Sequence, residues 1–138
     1  MNEKLQMYIN GEWINSSSSE TIEVMNPSDD SVLGTIAAGN SEDVDKAVAA
    51  AKSAFAKFSF STQEERVKIL ENIIEEYEKR SEELAKTISK EMGAPLWLSQ
   101  VAQVASGLSH FKDTLNVLQN YDFEYEKDGY LVRKEPVG

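Results

Sequence analysis

The stretch from Ser61 to Pro95 restricts the fold more than any other part of the chain. Two overlapping hydroxyl–glutamate pairs open it, Ser61 with Glu64 and Thr62 with Glu65. Either can form a capping box, in which a hydroxyl accepts an orphan backbone N–H and the glutamate reaches back to the cap. Apolar residues then fall at Val67, Leu70, Ile74 and Tyr77, and Ile69 and Ile73 widen that stripe to core-facing width. Lys79 and Arg80 sit where a helix end favours cations. Ser81, followed by Glu82 and Glu83, reads as a fresh start, and Leu84, Ala85, Ile88 and Met92 continue at helical spacing. Gly93 supplies a left-handed stop with Pro95 beyond it. The spacing predicts two amphipathic helices end to end.

Upstream, Met7-Tyr8-Ile9 and Glu12-Trp13-Ile14 flank Asn10-Gly11, the strongest short hairpin signal, because a type I′ turn needs two residues tolerant of positive φ. Thr21 to Met25 alternates as a strand up to Asn26-Pro27, Ser28 to Asp30 turns, and Val32 to Ile36 forms a second strand interrupted by Gly34. This N-terminal quarter is expected to be a small β layer. Ser41, with Glu42 and Asp43 behind it, is placed as the cap of another helix. That helix runs through Val44, Ala47, Val48, Ala51, Ala54, Phe55 and Phe58, an alanine-rich face expected to pack closely on a neighbour.

After Gly93, Pro95 suits the first turn of a further helix. Its apolar positions, Trp97, Val101, Val104, Leu108, Phe111, Leu115 and Leu118, alternate spacings of four and three. Such a seam serves either a coiled-coil dimer or packing along the chain's own core. The flanking positions lack paired opposite charges, which favours the second. Beyond it Tyr121, Phe123 and Tyr125 alternate with acids, Asp128-Gly129 turns, and Tyr130 to Arg133 returns as a hairpin with one aromatic face. A two-stranded ribbon is marginal alone, so that face needs a partner. Glu135-Pro136-Val137-Gly138 carry no cap, charged tail or polar fade, so a natural end is not expected there.

With 138 residues the chain is one domain's worth and can bury roughly two-thirds of its unfolded surface. Its net charge of −10 is spread over helix faces, which argues against nucleic acid and anionic membrane as partners. The N-terminus has no apolar leader core, and no run reaches transmembrane length, so a cytoplasmic location is expected. Asn15-Ser16-Ser17 fits a glycosylation triplet but reads as a polar loop. There is no cysteine, which removes disulfides, thiolate metal sites and cysteine nucleophiles from this chain. No phosphate-cradling glycine motif, zinc-protease motif or calcium loop is present. His110 is the only histidine, and no G-x-S-x-G elbow accompanies it, so a structural role is expected for it. The residues alone show an α+β chain with no visible active site.

Several of these residues also carry a resemblance. Tyr8-Ile9-Asn10-Gly11-Glu12-Trp13, Asn26-Pro27, Asp43 to Phe55, Glu65-Arg66-x-x-Ile69-Leu70, Glu91-x-Gly93-x-Pro95 and Arg133 to Gly138 together resemble the N-terminal segment of the NAD(P)-dependent aldehyde dehydrogenases. Phe58 stands where a tryptophan is common. The resemblance implies an α+β fragment of an α/β fold, with a small β layer, four helices and a C-terminal hairpin. Residues 1–120 would be the helical and strand part of the dinucleotide-binding domain. Residues 121–134 would be an oligomerisation-type hairpin, and 135–138 the start of the nucleotide-binding core.

The family oxidises aldehydes to acids: a cysteine thiolate attacks the carbonyl, hydride passes to NAD(P)+, and a glutamate activates water. None of those groups can be placed in this chain, so the resemblance implies the N-terminal portion of an oxidoreductase, cut short and inactive alone. NAD or NADP would belong to the longer enzyme. No catalytic or cofactor-binding residue is assigned here. The resemblance further implies a monovalent-cation site using the backbone carbonyls of Val24 and Met25 and the carboxylate of Glu91, where an aspartate is frequent. It implies an oligomer interface at Tyr121, Phe123, Tyr125, Tyr130 and Val132, and hence self-association. The alternative reading is a non-catalytic interaction module using the Trp97–Leu118 stripe and the terminal ribbon.

Overall fold

The computed structural model describes residues 2–138. Five strands make the N-terminal layer: β1 (Asn2–Lys4), β2 (Gln6–Ile9), β3 (Glu12–Asn15), β4 (Thr21–Asn26) and β5 (Ser31–Ala37). They form two sheets, where the sequence suggested one layer. β5 is central in the first, parallel to β1 and antiparallel to β4, while β2 and β3 pair separately as a hairpin. β1 is short and polar and gave no alternation to read. The hairpin turns at Asn10 (φ 56°) and Gly11 (φ 82°), both in the left-handed region a type I′ turn requires. β4 and β5 keep one register from Thr21 to Val24, then shift, so that Val24 faces Gly34 and Met25 faces Val32. The strand therefore runs through Gly34, and the extra residue at this bulge is Leu33.

Helix α1 (Ser41–Phe58) is capped one residue earlier than expected. Asn40 accepts the Asp43 N–H, and the Asp43 carboxylate returns to the Asn40 N–H, completing a capping box. Its apolar face does not pack closely: Val44, Val48 and Phe58 are exposed, and Asp43 is the one buried residue of the helix. Helix α2 (Gln63–Lys79) uses the Thr62–Glu65 pair, while the Ser61 hydroxyl is enclosed without a partner. Helix α3 (Ser81–Met92) follows after a break at Arg80, and the Ser81 hydroxyl donates back to the Tyr77 carbonyl at 2.9 Å. Gly93 ends α3 in the left-handed conformation at φ 70°.

The fourth helix, α4, spans 96–119 and begins after Pro95, which is extended and caps it from outside. It is α-helical over Leu96–Leu98, π-helical over Ser99–Val104 and α-helical again over Ala105–Gln119. α4 runs antiparallel to α2: Gln63 Nε2 donates to the Leu118 carbonyl at one end, and the Tyr77 ring lies 5.7 Å from that of Phe111 at the other. The seam thus packs within the chain, but only from Val104 onward. Trp97 and Val101 are 63% and 66% exposed, off the buried face. Strands β6 (Glu124–Lys127) and β7 (Tyr130–Arg133) form the C-terminal hairpin, turning at Asp128 (φ 51°) and Gly129 (φ 79°). Among the described residues the buried apolar core is small, with Ile74, Ala85 and Val104. A compact monomer of 15.4 kDa is expected to expose roughly 7,200 Å². This chain exposes 10355 Å².

Candidate functional site

Three places hold the residues that the sequence singled out. The first is a cleft of about 240 Å³ between the three-stranded sheet and the C-terminal end of α3. Val24 and Gly34 line it from the sheet, and Thr87, Lys90 and Glu91 line it from the helix. The structure therefore brings Val24 and Glu91 together, although 67 positions part them in the chain. The β4–β5 bulge lies between Val24 and Met25, where the ladder is interrupted. Met25 does not line the cleft, and its side chain is exposed. Lys4 and Lys90 line it as well, two cationic residues with the one acidic residue.

The second place is the C-terminal hairpin. Its register sets Tyr125 opposite Val132 and Lys127 opposite Tyr130. Side chains alternate along a strand, so Phe123, Tyr125, Val132 and Tyr130 share one face. Tyr121 joins them by packing edge-on against Phe123, ring centres 4.8 Å apart. Two cations missed in the sequence hold this face. The Arg66 guanidinium sits 4.7 Å over Phe123, and Lys134 Nζ sits 4.2 Å over Tyr121 and 5.2 Å over Tyr125. No local spacing could reveal Arg66, which lies on α2, far away in the chain. Tyr130 remains largely exposed and Val132 is half-buried.

The third place is Asp43, also unread as a centre of contacts. Its carboxylate accepts from the Ser16 hydroxyl (2.6 Å), the Ser17 N–H (2.9 Å) and hydroxyl (3.0 Å), and the Asn40 N–H (3.2 Å). The Ser16 hydroxyl, then the Ser17 N–H, hold its carboxyl well below the usual carboxylate range, outweighing the opposing effect of burial. Within the triplet, Asn15 ends β3 and Ser16-Ser17 form a fastened loop. His110 is exposed on α4, with Ser106 Oγ 3.5 Å from its Nε2. Among the described residues, no group of three histidines or acids could hold a metal ion. No helix among them is long and apolar enough to cross a membrane.

Three of the four helices begin with acids. A pyrophosphate wants free N–H groups at a helix N-terminus. α1 fills its first turn with its own Asp43 and Glu42, α2 with Glu64 and Glu65, and α3 with Glu82 and Glu83. Each of those ends would repel a phosphate.

The fold nevertheless matches known proteins over most of its length. The profile of the aldehyde dehydrogenase family matches residues 13–138. A curated protein of Staphylococcus haemolyticus assigned to the aldehyde dehydrogenases is 45% identical over 133 residues, covering 96% of this chain and 28% of that protein. One from Staphylococcus aureus is 44% identical over all 138 residues, 29% of its length. The crystal structure of an aldehyde dehydrogenase from Bartonella henselae superposes with a TM-score of 0.91 at 38% identity, over 94% of this chain and 28% of that one. Aldehyde dehydrogenase C of Pseudomonas syringae, solved with NAD+ and octanal, gives 0.88 at 36% identity, over 91% of this chain and 26% of that one.

The chain belongs to the aldehyde dehydrogenase family. It spans less than a third of the length of these relatives.

Proposed function

We propose that this chain is the N-terminal portion of an enzyme that oxidises an aldehyde to a carboxylic acid with NAD(P)+, and that by itself it is inactive. One observation carries this reading: a chain matching the family over nearly its whole length contains no cysteine. The relative solved with NAD+ and octanal supports the cofactor and substrate class. On this reading residues 1–120 flank the nucleotide-binding sheet, 121–134 form an oligomerisation hairpin, 135–138 lead into the nucleotide-binding core, and the enzyme is cytoplasmic. Purified chain incubated with aldehydes and NAD+ or NADP+ should give no rise in reduced-nicotinamide absorbance. Sustained turnover by the pure chain would overturn the proposal.

Two finer assignments go with it. The shared face of Tyr121, Phe123, Tyr125, Tyr130 and Val132 supports the hairpin as a contact between subunits. The meeting of Val24 and Glu91 at the bulged ladder supports a monovalent-cation site completed by Met25. Lys4 and Lys90 would compete there with the ion, so any such site is weak.

A further inference from the structure

In an unbroken α-helix, residues spaced four and three apart share one face. Trp97, Val101, Val104, Leu108, Phe111, Leu115 and Leu118 are so spaced. In the structure the last five face inward and the first two do not. The buried position one turn before Val104 belongs instead to Ser99, which has no solvent exposure. Ser99 and Val104 are five residues apart, one π turn. The π-helical stretch therefore inserts one residue and rotates everything before it by about 100° relative to the seam.

We propose that residues 96–104 are a register switch with two packings. In the observed π register Ser99 is buried, with Trp97 and Val101 outward. In the second, α-helical register the inserted residue passes back into the Gly93-Ala94-Pro95 connection, and Trp97 and Val101 complete the seam.

Opposing features keep the two comparable. The α register takes two large apolar side chains out of water and removes a buried hydroxyl. The π register is held by specific contacts. Tyr77 Oη donates to the Val104 carbonyl at 3.0 Å and pins the C-terminal end of the stretch, the pivot of both registers. Gly107 leaves room for that hydroxyl, since a Cβ there would collide with it. The Ser99 hydroxyl donates to Gln103 Oε1 at 2.9 Å, and Gln103 Nε2 reaches the Met92 sulfur at 3.8 Å. α3 packs against this stretch, and its one fully buried residue is Ala85, so small side chains suit the π register. Val101 in place of Ser99 would push α3 outward.

The test places Trp97 as the sole tryptophan, in a Trp13→Phe background. Gln103→Leu then deletes the amide that accepts from Ser99 and reaches the Met92 sulfur. The expected result is a blue shift of Trp97 emission and a loss of acrylamide quenching, with helical circular dichroism retained. Unchanged emission and quenching would overturn the switch. A second variant, deletion of Ala102, removes the inserted residue outright. It should fold cooperatively with Trp97 shielded. A folded deletion variant with Trp97 still quenched, or one that loses cooperative unfolding, would each show that the α register is not an available packing.

Discussion

Asp43 fixes two segments with one carboxylate, and its charge sets when it can do so. The group is acidified in the folded state, whereas in an unfolded chain an aspartate titrates near ~3.9. Its stabilising contribution is therefore complete above that value and is lost as pH falls through it toward the lower folded value. Asp43→Asn keeps the size but loses half of the acceptor oxygens. We expect a lower Tm than the parent at neutral pH, with the gap narrowing as pH drops below roughly 4. Thermal melts across that range would show it, and a gap independent of pH would disprove the ionic origin. Gly107 sets two effects against each other. Helix propensity alone predicts that Gly107→Ala stabilises by about 1 kcal/mol. Overpacking typically costs ~1–3 kcal/mol, and here the added carbon meets a hydroxyl already fixed on Val104. The steric effect should win and lower the urea midpoint; a raised midpoint would mean that Tyr77 swings away freely. At this scale the sequence revealed contacts within a turn or two, such as Thr62 with Glu65. The Asp43 partners at Ser16 and Ser17 lie beyond any local pattern.

Elements were legible where one short-range rule decides them. Asn10-Gly11 and Asp128-Gly129 gave both hairpins, and the amphipathic stripe with its caps gave α2 and α3. Gly129 tests that logic cleanly, because nothing lies within 4 Å of a Cβ built there. Gly129→Ala should therefore report only the backbone cost of left-handed geometry, about 1–2 kcal/mol. Hydrogen exchange should quicken in β6 and β7 and nowhere else, and faster exchange in α2 or α4 would contradict it. The π stretch defeated the periodic reading of α4, since spacing cannot reveal which residue a helix will insert. The apolar face of α1 was read correctly as apolar and wrongly as packed. Periodicity identifies a face that seeks cover but cannot show that this chain supplies it.

For the whole molecule, surface is the governing quantity. The chain exposes about 3,000 Å² more than a compact monomer of its mass would. That excess is more than one partner contributes to a permanent subunit interface, roughly 1,000–2,500 Å². Val44 and Val48 on α1, Phe58 and Phe60 at its end, and Ile69 and Ile73 on α2 contribute to it. The isolated chain should self-associate, with mass by light scattering rising with concentration; a constant monomer mass over a wide range would refute this. The fold was legible as a whole because the family pattern runs along the entire chain. The candidate sites were less so: the resemblance paired Val24 with Glu91, but nothing in the sequence pointed to the cations over the hairpin, one of which comes from distant α2.

The Asp43 clasp also bears on the order in which the chain assembles. Its bonds close loops of 26 and 27 residues, whereas the Thr62–Glu65 box closes a single turn. Local contacts form fast and long-range ones wait for loop closure. α2 and α3 should therefore organise first, and the N-terminal strands lock onto α1 late. A contact made after the rate-limiting barrier restrains escape from the native state and leaves arrival unaffected. Asp43 would then act as a latch on lifetime: without it the chain should fold as quickly as before and come apart sooner.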